Sequence, residues 1–491
     1  MDAGGYVSPA LFGFVVNNQG DTDPDLPFGT WRLWDDGSAW PYLQPDGGAF
    51  DFTGLDHWLA PIQAGLDAGT VKDVLYTFMR VPSWAATTAD QYNPSNGGDA
   101  GPITCNYDTD VGGTRQCYPM KDLAWDGGGP DLLWRTAVAK IGAHIYQGLP
   151  PGTPLYWGLW DEIARSTTLT TDLPPCQPGD DCTRAWEGSF DQLLRAYQDA
   201  SCLLNGRAQK VLATGETCAQ VQQTVGLSGP VAPGSYLMAP SAVAGPNGFS
   251  VVQQFLYCNV PADAGIAPCS NGNAGAQLVD GLNVELYIKE NGLKAGQAEP
   301  NPVESSFADY FQLIGDAGYF EPSELAKPLI SSEGSWGSSI QPDAGFGPYR
   351  EAFIARYYLM AATYGVVSAT WYAFDEPAIG GLYDPKAGVP LDGAAGWSGI
   401  YGWLAGATLT TPCANVAQSY WTCGLTLADG TPALVAWDVG STCDSTACTS
   451  TPVPVPAGGG YLYYRDLEGN KTAITGGKVP LSLQPILLTP N

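Results

Sequence analysis

The chain has 491 residues, 44% hydrophobic and only 14% charged, with 62 Gly, 40 Pro, 16 Trp and 25 Tyr. That is enough apolar chain for one large core and a smaller one, and it describes a loop-rich globular protein and not a disordered one. A formal net charge of -28 speaks against nucleic acid or an anionic membrane surface as partner, since both would repel it; a neutral or cationic ligand is easier to hold.

No signal peptide is legible at the amino terminus, where "MDAGGYVSP" reads as the start left after removal of one. No apolar run approaches the length of a membrane span. Short apolar or aromatic runs that end in polar residues then alternate with helical patterns. The candidate strands are "ALFGFVVNN", "GTWRLWDDG", "DVLYTFMRVPSW", "PLYWGLWDE", "KVLATGE", "DGLNVELYI", "KPLISSEGSW" and "SATWYAFDE". Helical patterns between them include "GLDHWLAPIQAGLDAG", "DLLWRTAVAKIGAHIYQ", "SFDQLLRAYQDASCLLN", "FADYFQLIGDAG" and "YREAFIARYYLMAATYG", several of which stop at Gly. Eight such units predict an α/β fold, a (β/α)8 TIM barrel over residues 1–405, with its active site at the C-terminal ends of the strands. A doubly wound open sheet is the other fold such alternation allows. It calls for a Gly-rich phosphate turn after the first strand, and "VVNNQGD" does not supply one.

After about Gly406 the runs "YWTCGLTLADG", "PALVAWDVG", "GYLYYRDLEGN" and "VPLSLQPILLTP" alternate apolar and polar residues between Gly, Pro and Asp. They predict a C-terminal antiparallel β-sandwich over residues 406–491, with "STPVPVPAGGG" as a loop or edge. The twelve cysteines fall as close neighbours, and the spacing suggests disulfides 105–117, 176–182, 202–218, 258–269, 413–423 and 443–448. Disulfides on that scale imply an oxidising compartment: a secreted, periplasmic or cell-surface protein. There is no Cys-x-x-Cys, and the two histidines, His57 and His144, lie far from the cysteines in sequence, so neither metal nor cofactor is expected.

Four adjacent acidic pairs occur, among them Asp161-Glu162 and Asp375-Glu376, where 49 acidic residues in 491 give roughly five by chance. A pair alone therefore carries nothing. The barrel changes this, because Glu162 closes the fourth strand, Glu333 closes the seventh, and strand ends converge on one pocket. Two carboxyls so placed can flank a glycosidic bond, one protonating the leaving oxygen while the other attacks the anomeric carbon.

The runs "YWGLWDE", "KPLISSEGSWG" and "TWYAFDE", with "WRLWDDGSAWPYLQPDGGAFDFTGLDHWL" and "YTFMRVPSWAA" in the expected order, resemble the retaining glycoside hydrolases of clan A, most closely family 39 and its bacterial relatives. The tail from "YRDLEGN" to "VPLSLQPILL" is similar to the sandwich that accompanies such barrels. The resemblance implies Glu162 as general acid/base and Glu333 as nucleophile, Arg32 as the strand-two arginine that holds the nucleophile ionised, and Tyr287 as the strand-six tyrosine that hydrogen-bonds it. It implies Trp371 as the tryptophan that floors a sugar subsite. Asp35, Trp84 and Trp336, in or near loops after strands, are further candidate substrate contacts; Trp34, Trp40 and Trp397 are placed similarly, and most of these rings are expected to be packing.

Two positions depart from the family: Asp161 stands where an Asn precedes the acid/base, and Glu285 stands where a His is usual in a His-x-Tyr pattern. Both are candidate substrate-binding residues. At least four acids and no histidine would then line the pocket, which disfavours a sugar bearing carboxylates or sulfates. The expected partner is a neutral carbohydrate, bound by a monomer or weak oligomer, with no nucleic acid and no membrane span. The same two departures motivate a second reading, a catalytically silent carbohydrate-binding barrel, and an inverting hydrolase remains a third. For the cysteines, thiol titration under denaturing, non-reducing conditions should find almost none free; six or more would overturn the secretion argument.

Overall fold

The computed structural model describes residues 5–17, 24–34, 36–87, 118–163, 186, 188–258, 274–288, 294, 296–315, 319–340, 346–417, 419–456 and 459–490. Eight parallel strands form one sheet: β1 (Phe12–Val15), β2 (Thr30–Leu33), β3 (Asp73–Thr77), β4 (Leu155–Gly158), β5 (Tyr236–Leu237), β6 (Leu282–Val284), β7 (Leu329–Gly334) and β8 (Val366–Trp371). Their order is β5-β4-β3-β2-β1-β8-β7-β6. The two end strands meet through parallel bridges from Met238 to Gly281 and from Val243 to Glu285, so the sheet curls into a barrel. Gly281 permits that closure: a β-carbon there would lie 2.7 Å from the Pro328 carbonyl oxygen.

The strands β1, β2 and β3 are buried along their whole length, as parallel strands covered by helices are, so burial does not alternate along them. The five helical patterns form the helices Thr53–Ala68, Leu132–Gly148, Phe190–Leu204, Val303–Gly315 and Gly347–Thr363. Gly69, at φ 69°, ends the first of them. Ser189 and Gln192 cap the third reciprocally.

The fifth strand is a correction. "KVLATGE" forms a tight turn, in which Lys210 bridges antiparallel to Thr217, the Cys202–Cys218 disulfide closes its base, and Glu216 is drawn to Arg135 at 2.6 Å. The strand itself is Tyr236–Leu237, paired with Tyr156 and Trp157 of β4. Two residues between Pro233 and Pro240 are too short a run to show any period. Three helices also left no clear pattern: Cys218–Thr224, Pro246–Tyr257 and Gly393–Leu404.

A short hairpin, β9 (Tyr383–Asp384) and β10 (Val389–Pro390), follows the barrel. Then come β11 (Thr408–Ala417), β12 (Tyr420–Thr426), β13 (Pro432–Asp438), β14 (Thr451–Pro454), β15 (Tyr463–Arg465), β16 (Lys471–Ala473), β17 (Lys478–Leu481) and β18 (Ile486–Thr489). Six of them form an antiparallel sheet, β11-β12-β13-β18-β15-β16, and β14 pairs with β17 as a second. The Pro-rich stretch is thus an edge strand, where missing N–H groups are tolerated. Barrel and sandwich are joined by a buried ion cluster: Arg356 holds Glu299 and Glu304, and Trp437 Nε1 donates to Glu304 Oε1 at 2.7 Å. Disulfides Cys202–Cys218, Cys413–Cys423 and Cys443–Cys448 are formed; the pairs 105–117 and 176–182, and Cys269, lie outside the described residues. Among the described residues no helix is long and apolar enough to cross a membrane.

At the amino-terminal end of the barrel, Thr30 Oγ1 donates to the Ala10 carbonyl at 2.7 Å and also meets Asp73 Oδ1. That hydroxyl has one hydrogen to share between the two acceptors. Burial pushes Asp73 from 3.8 up to about 7, with the Thr30 hydroxyl pulling the other way. The native state keeps a proton that the unfolded chain releases, so this stabilisation is complete below about pH 4 and is lost as pH rises through about 7. Denaturant unfolding across that range should show a smaller loss of stability with pH in Asp73→Asn than in the parent; equal slopes would refute the assignment.

Candidate active site

Arg32 sits on β2 between Trp31 and Leu33, and it is fully buried. Its Nη1 donates to Glu333 Oε1 at 2.7 Å and to the Ser332 carbonyl at 3.0 Å, and its Nη2 donates to Asp161 Oδ1 at 2.9 Å. Thr77 Oγ1, at the end of β3, lies 3.3 Å from both Nε and Nη2. The Trp34 ring covers the guanidinium, 4.7 Å from its carbon. One side chain thus gathers the ends of β2, β3, β4 and β7. Asp161 and Glu333 raise the Arg32 pKa further, outweighing the burial that opposes its charge.

Glu333 has both oxygens engaged, since Tyr287 donates its hydroxyl to Oε2 at 2.7 Å. Burial first, and the Glu333 charge second, hold that phenol well above its usual range, so it stays a donor. The resemblance implied a nucleophile held ionised by Arg32. The contact is present and pulls the Glu333 pKa down, as Tyr287 does, but burial and the carboxyls of Asp161 and Glu162 outweigh them and the net shift is upward. Glu285, fully buried on the segment after β6, is pushed well up by burial and then by Asp161, Glu162 and Glu333. Burial and mutual repulsion thus push both Glu285 and Glu333 toward the protonated form.

Glu162 lies four residues past the end of β4, 6% exposed, with φ +42°. A left-handed glutamate is an uncommon, strained conformation that its surroundings must fix. They do so through Ser241, beyond β5. Glu162 N–H donates to Ser241 Oγ at 3.0 Å, Ser241 N–H to the Trp160 carbonyl at 3.2 Å, and Ile163 N–H to the Ser241 carbonyl at 3.1 Å. Ser241 carried no sequence signal, being one small residue in "APSAVAG" after a strand that was itself misplaced.

The aromatic candidates separate. Trp371 does not line the site: it is fully buried, its Nε1 donates to the Gly380 carbonyl at 2.6 Å, and Trp336, Phe353 and Tyr357 surround it at 5.1, 6.4 and 5.4 Å between ring centres. Trp336 is buried with it against Phe353. Alternation along the strand sends Trp371 toward the covering helix and the next residue toward the pocket. That residue, Tyr372, half-buried and 5.9 Å from the Trp34 ring, was missed. Trp84 is half-buried on the loop after β3, donating to the Gln44 carbonyl at 2.8 Å, with its ring edge-on to Trp40. Asp35 lies outside the described residues. Among the described residues no group of three His, Cys, Asp or Glu could hold a metal ion.

No protein-family model matches the sequence, and no curated protein matches it. Solved structures do share the fold. A family 39 glycoside hydrolase from the gut symbiont Bacteroides cellulosilyticus WH2 aligns with TM-score 0.57 at 15% identity, over 98% of this chain and 81% of that one. A GH30 endoxylanase from Clostridium papyrosolvens C71 gives 0.53 at 12%, over 99% and 97%, and a glucosidase from Croceicoccus marinus 0.50 at 13%, over 99% and 82%. The chain has the fold of the hydrolases its motifs resemble.

Removing Arg32 should expose the cost of this charge cluster. Arg32→Ala leaves Asp161 and Glu333 buried without a counter-charge, a change that costs about 3–5 kcal/mol when one partner of a buried pair is lost. Chemical denaturation should show the deficit growing as pH rises above about 5, because at lower pH the carboxyls can take up protons. A deficit independent of pH would argue against the ion pairs.

Proposed function

We propose that the protein is a secreted retaining glycoside hydrolase acting on a neutral oligo- or polysaccharide, with residues 1–405 as the catalytic barrel and 406–491 as an accessory sandwich. The observation that carries the reading is the pairing of Glu333, gripped by Arg32 and Tyr287, with Glu162 close enough to raise its pKa. The shared fold with a glycoside hydrolase, an endoxylanase and a glucosidase supports it. The three disulfides support an oxidising compartment.

In this reading Glu333 attacks the anomeric carbon while Glu162 gives its proton to the leaving oxygen. Arg32 and Tyr287 keep the attacking carboxylate pointed, and its ionisation is favoured while Glu162 and Glu285 stay protonated. Once Glu333 is consumed in the glycosyl ester, its charge no longer opposes ionisation of Glu162. That carboxylate can then take a proton from the water that hydrolyses the ester. The half-buried Tyr372, beside the buried Trp34, offers ring surface for a sugar's C–H face.

Digestion of a glycan panel, followed by mass spectrometry, should identify a substrate. On it Glu333→Ala should abolish turnover, and Glu162→Ala should slow it by about 10²–10⁴-fold, with partial recovery for substrates carrying a good leaving group. A fluorosugar should label Glu333, and the product should keep its anomeric configuration. Full activity in Glu333→Ala, or inversion, would overturn the reading; binding without turnover would favour a silent carbohydrate-binding barrel.

A further inference from the structure

Ser241 Oγ has three close polar neighbours: Glu162 N at 3.0 Å, Asp161 Oδ1 at 2.6 Å and Glu285 Oε1 at 2.6 Å. A hydroxyl offers one hydrogen and two lone pairs. Glu162 N–H takes one lone pair. The single hydrogen can serve only one of the two carboxyl oxygens, and the other must bring its own proton or stand as a bare anion 2.6 Å from an oxygen lone pair. Asp161 Oδ1 already accepts from Arg32 Nη2 and is the natural seat of the charge. Glu285 Oε2 and Asp161 Oδ2 are both buried with no hydrogen-bond partner among the described residues, so the Arg32 bond to Asp161, which has no counterpart at Glu285, is what separates the two acids.

We infer that Glu285 is a neutral carboxylic acid in the working site, donating to Ser241, which donates to Asp161, so that the hydroxyl is locked as the acceptor for the backbone N–H of Glu162. Glu285 and Ser241 are then positioning residues for the general acid/base, and neither touches the reacting atoms. The backbone supports a rigid relay: Glu285 N–H donates to the Ala242 carbonyl at 3.0 Å and Ala244 N–H to the Glu285 carbonyl at 2.9 Å, stitching Glu285 to the residues that follow Ser241. The charged and titratable groups around Glu285 are Asp161 and Glu162 from the β4 end, Glu333 from β7 and Arg32 from β2, with Tyr287 on its own segment. Burial among three carboxyls disfavours a fourth charge there. The relay also spares Glu333 one repelling charge, which its attack on the sugar requires.

The inference rests on the glycosidase reading only for its catalytic consequence, and two measurements keep them apart. Infrared difference spectra at neutral pH, parent minus Glu285→Gln, should show loss of the carbonyl stretch of a protonated carboxyl; loss of a carboxylate band overturns the proposal whether or not the protein turns over any glycan. On a substrate with a poor leaving group, Glu285→Ala and Ser241→Ala should lose about 10²-fold in kcat, the scale of a misplaced catalytic group, and much less on an activated aryl glycoside. Glu285→Gln, whose amide still donates to Ser241, should recover most of that loss, and the acid limb of its kcat/KM profile should coincide with the parent's. If Glu285 were ionised, removing its charge would shift that limb to lower pH. Such a shift, or a Gln variant as impaired as the Ala variant while both remain folded by circular dichroism, overturns the proposal.

Discussion

Arg32 is the interaction on which the rest of the site depends. A guanidinium with no solvent exposure is tolerable only when its donors are met, and here they meet Glu333, Asp161, Thr77 and the Ser332 carbonyl. The planar fork fixes the angle between its partners, a property a lysine would lack. The carboxyl ends of β4 and β7 are therefore held in register by a single side chain from β2. The desolvation of that charge is offset only while both carboxylates remain, which makes the site a unit and not a set of independent residues.

The second constraint is proton counting. Burial and mutual repulsion push Glu285 and Glu333 upward together, and hydrogen bonds decide which carboxyls keep their charge. Arg32 and Tyr287 act on Glu333, and Arg32 on Asp161, whereas among the described residues the Glu285 carboxyl hydrogen-bonds the Ser241 hydroxyl alone. The same logic appears at the opposite end of the barrel, where Thr30 cannot serve both the Ala10 carbonyl and an ionised Asp73. In both places burial pushes the acid toward its neutral form. In the proposed glycosidase, the working pH is set by how those protons are shared.

Much of the architecture was legible in the chain because it is periodic. Seven of the eight strands and the five long helices lie where runs of apolar residues and Gly stops put them. The order of those runs was enough to bring Arg32, Glu162, Tyr287 and Glu333 to one end of a barrel. What escaped was local and brief. β5 spans two residues, its place claimed by "KVLATGE", whose strand-like composition is overridden by a disulfide and the pull of Arg135 on Glu216. Trp371 and Tyr372 differ by a single step of alternation, and a one-residue error in facing exchanges a core tryptophan for a pocket tyrosine.

The sequence by itself determined the alternation of strand and helix, the change to antiparallel strands after residue 406, and the acid-rich strand ends, because hydrophobic period and turn chemistry are properties of neighbouring residues. Only the tertiary structure decided which acid keeps its proton. Ser241 is 79 residues from Glu162, 80 from Asp161 and 44 from Glu285, and its hydroxyl acquires a role only when closure of the barrel brings all three within hydrogen-bond distance. A hydrogen bond depends on distance in space, and no local pattern in the chain encodes that distance.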